Sequence, residues 1–515
     1  MLGFERQRDA RDFIDIGATV TQLSSDLDDQ QLKRLTKCKK YWNFYEGYHW
    51  EDMPDVDTPE VTVNYCGAFV NKFVAFELGK GFTFTVHKDL ADTKVTKDGR
   101  TLFEYLEDVW EDNNQYIFAT ELGQMKSVTG EAWVQVRYYS PDELEDPFNK
   151  YPEGRVKLLL QPTSIVFPEY DPHQKGVLRK ISIVYQYYET ENYGLLHSKS
   201  RRVLKTYKQI WTKDKVVTYE GNKEPVEAPN KYGVIPFIQI KNFVLAGRNE
   251  GVSDIADIIP MNVEYNLKKS NVSEILDYHA APVTLVFGAK IGNLEKGANK
   301  LWGGLPKDAK VQNLELNSDL GASNTYLENL KLEMCEVGGI PETVLGGAKS
   351  ISNTSGVALQ YMNLPLIEKT RVKRQSTEDG LERLNEMILL ISLLEGLIFK
   401  SEDVTMRDFL HTEVSLPDTL PKDTLLELQQ LQQEIQAGLE SRAGALKRMG
   451  REDIENKLKE VDKEREEHPA LFGLPEENPE EQPQINSGFL NGQTPQEQMN
   501  IAKNGANVSN PEGEV

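Results

Sequence analysis

VIPFIQIKN (residues 234–242) begins a run of four segments that indicates the architecture of the chain. The other three segments are SDIADIIP (253–260), YNLKKSNVSE (265–274) and AAPVTLV (280–286). The composition changes after Asn242, where GRNEGVSDIADII (247–259) opens a helix predicted to run to His279. Pro260, about two turns into this helix, predicts a kink. A short β-rich piece, Pro282–Leu316, comes next, with helices on both sides. The pattern therefore predicts a small domain inserted between two helices.

Upstream of this stretch, the sequence predicts helices and then strands. The predicted helices are Asp28–Tyr45, which Gly47 ends, Val63–Leu78, and Leu102–Ser127. Between residues 155 and 240, β-branched and aromatic runs alternate with turns rich in Pro, Asp and Gly; the runs are RVKLLL, SIVF, KISIVYQYY, VLKTYKQIW and VVTYE. The first half is therefore predicted to be a mixed α+β domain.

Downstream, helices dominate. A helix at Asn324–Val337 ends at two glycines, and the Gly- and Ser-rich segment 340–353 is predicted to be a loop. A long helical stretch then runs from Ser355 to about Phe399, interrupted by Pro365, and is followed by a strand at 409–414. Apolar residues from 425 to 461 recur at near-helical steps and predict one long amphipathic helix.

The last 47 residues differ from the rest of the chain. Beyond His468 there are six prolines, seven glutamates and a single basic residue, Lys503. A segment with this composition and almost no aliphatic pattern cannot bury enough apolar surface to fold alone. The tail, 469–515, is therefore predicted to be disordered.

Charge and cysteine content limit the class of protein. The chain has 59 Lys and Arg against 81 Asp and Glu, a formal charge of −22, which argues against binding nucleic acid through a generally basic surface. Cys38, Cys66 and Cys335 are far apart and odd in number, so neither a disulfide framework nor a paired-Cys zinc site is expected. This pattern predicts folding in a reducing cytoplasm. No signal peptide is predicted, because the first residues, MLGFERQRDARDF, are charged throughout and contain no apolar core. No membrane span is predicted, because the most apolar stretch, 387–399, is too short.

The sequence contains no recognisable catalytic motif. The phosphate-binding pattern GxxxxGK[ST] is absent, and the nearest segment, GGAKS (346–350), lacks two of its glycines. The seven histidines are isolated from one another, GxSxG does not occur, and close carboxylate pairs are expected by chance among 81 acids. We therefore predict no catalytic residue, no metal ligand and no cofactor, and expect a protein that is not an enzyme.

Several segments resemble, in content and in order, the portal proteins of tailed double-stranded DNA bacteriophages, of the siphophage type. YWNFYEGYH (41–49) resembles the family's aromatic-Gly element, and VNYCGAFVNKFVAFELGK (63–80) resembles its helix with a Gly-Lys end. The most specific part is the run from 234 to 286, which is similar to the approach to the stem and clip. SGVALQ (355–360) and SRAGALKRMGREDIENKLKE (441–460) resemble the long helix after the tunnel loop and the crown helix.

The resemblance covers roughly residues 30–467 and implies an α+β portal fold with a long kinked helix. Its implied parts are a mixed α+β wing (1–248), a stem helix (249–280), a β-rich clip (281–317), a second stem helix (318–339), a tunnel loop (340–354), a long wing helix with a strand (355–420) and crown helices (421–468). It also implies a ring of about twelve copies at one capsid vertex of the virion, assembled in the host cytoplasm.

The implied function is a conduit for packaging and ejection of double-stranded DNA. The implied partners are the terminase large subunit, the major capsid and scaffolding proteins, and the head-tail connector or adaptor, with no membrane. Two other interpretations remain. One is an ATPase or nuclease subunit of the packaging machinery, which the missing motifs disfavour. The other is an acidic helical scaffold or minor capsid protein, which would not need the β-rich insert between two helices.

By the same resemblance, the DNA channel is expected at the tunnel loop and stem. The candidate residues are Leu345, Gly346, Gly347, Lys349, Ser350, Asn353, Lys268, Lys269 and Lys331. A ring of chains that each carry a charge of −22 should hold DNA loosely, because few cations are available to pair with phosphates. The alternative for the lysines is pairing with Glu264, Glu274, Glu328 and Glu333 one helical turn away.

Overall fold

A computed structural model describes most of the chain. The described residues are 27–51, 61–90, 92–144, 150–174, 176–193, 199–221, 223–280, 284–287, 308, 310–313, 320–346, 361–417, 424–449 and 454–467. The tail predicted to be disordered, 469–515, and most of the segment predicted to be the clip lie outside them. The chain divides into two compact units, Met1–Pro421 and Lys422–Val515.

The first unit mixes helices and strands, as the sequence predicts. Its helices are α1 (Asp29–Glu46), α2 (Tyr65–Leu78), α3 (Leu102–Asp112), α4 (Gln115–Thr129), α5 (Ile258–Ala280), α6 (Leu320–Gly338), α7 (Leu364–Leu394) and α8 (Met406–Leu410). Its strands are β1 (Thr83–Val86), β2 (Glu131–Tyr139), β3 (Arg155–Gln161), β4 (Val166–Tyr170), β5 (Leu178–Tyr193), β6 (Lys199–Trp211), β7 (Lys215–Glu220), β8 (Val226–Pro229), β9 (Phe237–Lys241), β10 (Thr284–Phe287), β11 (Lys310–Asn313) and β12 (Thr412–Ser415).

Local sequence signals set the ends of the first helices. Asp28 and Gln31 form a capping box at the start of α1, and Gly47 ends the helix with a φ of 94°. The single helix predicted at 102–127 is wrong: α3 ends at Asp112 and α4 begins at Gln115. Asn114 makes the break, because its φ of 53° is left-handed and incompatible with a continuous helix.

Four antiparallel sheets are present among the described residues. Strands β4 to β8 form a five-stranded meander, and β2 lies between β3 and β9 in a three-stranded sheet. Strands β10 and β11 form a hairpin between α5 and α6, at the position where the sequence predicts a β-rich insert between two helices. Strand β1 pairs with β12, with Thr83 opposite Ser415. This last pair joins the beginning of the first unit to its end.

The long helix α7 packs on the three-stranded sheet and on β12. Leu381, Leu384 and Ile388 of α7 are fully buried in the largest apolar core. Gly380 allows the helix to lie close to β9, because a Cβ atom there would stand 2.7 Å from Ile240 Cγ1. Trp110 Nε1 donates to Asn385 Oδ1 at 2.9 Å, which ties α3 to the same helix.

The predicted kink at Pro260 is wrong, whereas the predicted interruption at Pro365 agrees with the structure. Helix α5 begins at Ile258, so Pro260 lies in its first turn instead of two turns in. Residues 361–362 are helical, and Asn363 breaks the helix. Helix α7 begins at Leu364, so Pro365 also lies in a first turn and the stretch is interrupted there as predicted. Backbone N–H groups in a first turn have no partner within the helix, and proline there costs no hydrogen bond. Pro260, which was expected to kink α5, therefore starts it, and Pro365 starts α7.

Two further predictions need correction near the end of the first unit and in the second. The strand predicted at 409–414 begins at Thr412, because residues up to Leu410 form α8. The predicted long amphipathic helix at 425–461 is three helices, α9 (Thr424–Gln436), α10 (Arg442–Arg448) and α11 (Ile454–Glu467). Gly438, with a φ of 72°, lies in the turn after α9.

Candidate DNA-channel elements

The two helices that flank the hairpin, α5 and α6, pack against each other and carry three of the candidate lysines. Lys268 of α5 is exposed, and its Nζ lies 3.5 Å from Glu264 Oε1, one turn earlier. This pairing agrees with the alternative interpretation, in which the lysine pairs with a glutamate one helical turn away. Lys269 is half-buried, and no carboxylate of the described residues lies within 4 Å of its ammonium group.

Lys331 of α6 does not pair with the glutamates within one turn of its own helix, although its sequence position suggested that pairing. Its Nζ donates to Glu342 Oε1 at 2.8 Å, eleven residues further along the chain, and not to Glu328 or Glu333. The hydrogen bond to Glu342 raises the pKa of Lys331. Helix periodicity could not reveal this pair, because it depends on how the chain turns after Gly338. The pair attaches the following turn to α6.

The segment after α6 is wound into tight turns as far as it is described. The N–H groups of Val344, Leu345 and Gly346 donate to the carbonyl oxygens three residues earlier, at 3.0 to 3.3 Å. Ile340 is buried, and Leu345 packs against the same apolar core as Phe69. Gly346 has a φ of 88° and open space around its Cα. The other loop candidates, Gly347, Lys349, Ser350 and Asn353, lie outside the described residues.

A row of small polar side chains joins α5 to the segment before α2. Asn262, Asn266 and Ser270, at i, i+4 and i+8, are each fully buried on one face of α5. Asn262 Oδ1 accepts from the Tyr65 and Cys66 N–H groups, Asn266 Oδ1 from Val63 N–H at 3.0 Å, and Ser270 Oγ from Val61 N–H at 3.0 Å. Asn262 Nδ2 donates back to Val63 O at 2.8 Å. We call these three residues the polar row.

His49 continues the polar row. Its Nε2 lies 3.0 Å from Phe44 O, and its Nδ1 lies 2.7 Å from Asn266 Nδ2. A carbonyl oxygen can only accept, so Nε2 carries the proton and Nδ1 accepts from the Asn266 amide. Burial lowers the pKa of His49, which keeps the imidazole neutral and fixes this arrangement. The sequence contains one signal for this row: the spacing of Asn262, Asn266 and Ser270 places three polar residues on one face of a helix. This spacing was not used to predict a contact.

Four charged side chains meet in the interior next to these helices. We call Glu77, Lys126, Asp254 and Lys373 the buried ionic cluster; they come from α2, α4, the turn before α5, and α7. Their side chains are at most 1 % exposed. Two cations face two anions, and Lys369, 22 % exposed, adds a third cation whose Nζ lies 3.7 Å from Asp254 Oδ1. The cluster therefore connects the segment that leads into α5 with three helices of the first unit.

The contacts within the buried ionic cluster are close. Lys126 pairs with Glu77, and Lys373 Nζ lies 2.7 Å from Asp254 Oδ2 and 3.4 Å from Glu77 Oε2. Thr377 Oγ1 is 2.6 Å from Glu77 Oε1, and Ser127 Oγ donates to Asp254 Oδ2 at 2.5 Å. Each carboxylate therefore has both a cation and a hydroxyl partner.

Burial and pairing shift the acidity of these groups in different directions. Burial alone would raise the pKa of Glu77, but Lys126 and Lys373 outweigh it and lower the pKa below 4.5. In Asp254 burial is likewise outweighed, by Lys373 and Lys369, and the pKa falls below 3.8. Burial lowers the pKa of Lys126 to about 8 despite Glu77 beside it. In Lys373 burial is outweighed by Asp254 and Glu77, which raise the pKa, so pairing favours the charged form of Glu77, Asp254 and Lys373.

The described residues hold no group of three or more His, Cys, Asp and Glu side chains placed to bind a metal ion. In the same part of the chain, no helix has the length and apolar character needed to cross a bilayer. The three cysteines are buried and unpaired.

Comparison with known proteins gives the family. A family model described as phage portal protein, SPP1 Gp6-like, matches residues 24–469. No curated protein matches the chain. A chain from the virion of a native gene transfer agent particle is 11 % identical, with a TM-score of 0.42, and the match covers 85 % of this chain and 94 % of that one.

A second solved structure, the neck of an empty gene transfer agent particle computed with C6 symmetry, is 13 % identical, with a TM-score of 0.44. That match covers 75 % of this chain and 89 % of the other. The family match confirms the resemblance found in the sequence. Because it spans most of the 515 residues, the chain belongs to the SPP1 Gp6-like family of phage portal proteins.

Proposed function

We propose that this chain assembles into a ring at one vertex of a phage capsid and forms the passage for double-stranded DNA during packaging and ejection. The observation that carries the proposal is the match of residues 24–469 to the portal family. The order of elements supports it: two packed helices, α5 and α6, flank a hairpin, and a long helix follows. The protein performs no chemistry of its own in this function.

We further infer that the elements have the roles that the resemblance implies. Residues 1–248 form the wing, α5 and α6 the stem, the segment around β10 and β11 the clip, and 340–354 the tunnel loop. Helix α7 and β12 return to the wing, and α9 to α11 form the crown. About twelve copies complete the ring. What supports this mapping is the agreement between its boundaries and the order of helices and strands.

Exposed apolar side chains support a ring. On α6, Tyr326, Leu332 and Val337 are between 43 and 54 % exposed, and Leu364 and Val372 of α7 are 44 and 51 % exposed. Residues 364 and 372 are eight apart and share one face of the helix. Large side chains repeated on neighbouring helices are a feature of surfaces that a partner covers.

For the DNA passage, we propose weak and sparse phosphate contacts. Lys269 is the strongest described candidate, because Lys268 and Lys331 already pair with Glu264 and Glu342. Lys349, Ser350, Asn353 and the glycines of the loop remain proposed channel residues. Leu345 is a weaker candidate, since its side chain packs against the core within the subunit.

The proposed partners follow from the place of the ring. The terminase large subunit docks on the clip, the head-tail connector joins after packaging, and capsid and scaffolding proteins surround the ring in the virion. Assembly takes place in the host cytoplasm.

Electron microscopy and mass measurement of the purified chain test the proposal. We expect rings with a central hole, formed without nucleotide or metal. A monodisperse species near 58.5 kDa at micromolar concentration would contradict the ring. Nucleotide hydrolysis by the purified chain would instead favour an enzymatic subunit of the packaging machinery.

A further inference from the structure

Helix α1 presents a basic face in a strongly acidic protein. Lys33, Lys37 and Lys40 are all exposed and lie at i, i+4 and i+7, on one side of the helix. No carboxylate of the described residues lies within 4 Å of their ammonium groups. Lys37 lies over the Tyr41 ring, 5.6 Å from its centroid. Three unpaired lysines in a chain with a charge of −22 indicate a surface for an anionic partner.

These lysines border a groove that has an apolar floor. The groove, about 650 Å³ in volume, lies between α1 and the start of α5. Apart from the three lysines, its lining includes Asp29, Leu32, Tyr41, Ala256, Ile259 and Pro260. Phosphates would use the lysines but not the apolar floor. A peptide that combines aliphatic side chains with carboxylates matches both parts of the groove.

The chain itself contains such a peptide. DFIDIGA (12–18) places Phe13, Ile14 and Ile16 beside Asp12 and Asp15. It belongs to residues 1–26, which lie outside the described residues and which lead directly into α1. The groove extends along α1 from Asp29 to Tyr41, about 18 Å at the helical rise. The ten residues 17–26 span up to about 33 Å, so the segment reaches the groove of its own subunit.

We propose that residues 12–16 dock in this groove of the same chain, with Ile14 and Ile16 on the apolar floor and Asp12 and Asp15 among Lys33, Lys37 and Lys40. The docked segment would cover the apolar floor and fill the groove between α1 and the start of α5. The inference does not depend on the ring.

Disulfide cross-linking in the full chain tests the docking. We expect Ile16→Cys together with Ala256→Cys to form a disulfide within one subunit, detected by peptide mass and by the absence of covalent dimers. The native cysteines are buried, and each single variant controls for them. Covalent dimers as the main product would place the segment on a second copy and overturn the proposal. A pair that does not cross-link above the level of a control pair, Ile16→Cys with Lys97→Cys, would also overturn it.

Charge reversal separates specific docking from chance proximity. Lys33→Glu, Lys37→Glu and Lys40→Glu together should slow cross-linking about tenfold, because attraction between the three lysines and the carboxylates of Asp12 and Asp15 is replaced by repulsion. Reversal of three exposed lysines elsewhere, Lys72, Lys88 and Lys213, changes the net charge equally and should leave the rate unchanged. If the first triple variant does not fold, Ile14→Asp in the proposed docking segment should slow the reaction instead. A cross-linking rate that Ile14→Asp does not change would contradict docking of this peptide. A rate that added duplex DNA lowers would also contradict it, because DNA would then be competing for the groove.

Discussion

At the scale of single residues, each charge of the buried ionic cluster has a partner of opposite charge. Glu77, Lys126, Asp254 and Lys373 lie within a region that water does not reach. Removing one member leaves an opposite charge buried without its partner, which is costly in a low-dielectric interior. Removing an adjacent pair together leaves no such charge. A single substitution should therefore lower the free energy of unfolding much more than a substitution of the adjacent pair.

We expect Lys126→Met to lower the free energy of unfolding by about 3–5 kcal/mol, because Glu77 loses its closest cation. The double variant Glu77→Gln with Lys126→Met should recover most of that loss. Denaturant unfolding of wild type, both single variants and the double variant measures the coupling as a double-mutant cycle. Additive effects would show that Glu77 and Lys126 do not depend on each other.

The same cluster should make the protein sensitive to acid. The folded pKa values of Glu77 and Asp254 lie below 4.5 and 3.8, so the folded state holds fewer protons than the unfolded state at mildly acidic pH. Their stabilising contribution is complete above those values and is lost as pH falls through the lower folded pKa values. Unfolding free energies from pH 7 down to pH 3 should decline less steeply in the Glu77→Gln, Lys126→Met double variant. An equal decline in both proteins would assign acid sensitivity to other groups.

At the scale of elements, the polar row determines how α5 meets the segment before α2. The described residues of that segment, 61–64, pair with no strand; the N–H groups of Val61, Val63 and Tyr65, the first residue of α2, donate to side chains of α5 instead. The row therefore fixes the register of helix against segment through hydrogen bonds, where apolar packing alone would allow sliding.

We expect Asn266→Leu to destabilise the protein by about 1–3 kcal/mol, because Val63 N–H and His49 Nδ1 both lose a partner. Asn329→Leu on α6 is the matched control, since Asn329 is exposed, and it should change the free energy of unfolding by at most about 0.5 kcal/mol. Denaturant unfolding compares the two variants. Equal stability of both would mean that water or a shifted backbone satisfies Val63 N–H.

The sequence predicted element types better than element ends and tertiary pairs. Helix α1 was predicted within one or two residues because Asp28 and Gly47 carry cap signals in the chain itself. Pro260 was misassigned because periodicity continues upstream through SDIADII, while the backbone forms turns there instead of helix. The Lys331–Glu342 pair and the buried ionic cluster join residues distant in sequence, and no local pattern encodes such meetings. From charge content alone, the acidic residues were predicted to lie on solvent-exposed faces.

At the scale of the whole molecule, the exposed apolar side chains of α7 should determine assembly. We expect Leu364→Asp with Val372→Asp to leave a folded subunit that no longer forms rings, because two charges replace side chains that a neighbouring copy would cover. Val226→Asp, at a 66 % exposed position of edge strand β8, is the control and should still assemble. Analytical ultracentrifugation gives the oligomer, and circular dichroism confirms the fold. Normal rings from the double variant would exclude this face of α7 from the subunit contacts.

The pairing of β1 with β12 has a consequence for synthesis. Thr83 lies opposite Ser415, so β1 has no strand partner until more than three hundred further residues have left the ribosome. At about 5–20 residues per second, the nascent strand waits on the order of 15–65 s, during which its open edge is available to other chains. Helix α7, which packs on β2 and β9, also emerges late. The first unit therefore completes this pairing only after residue 415 has emerged, and chaperone demand should peak before then.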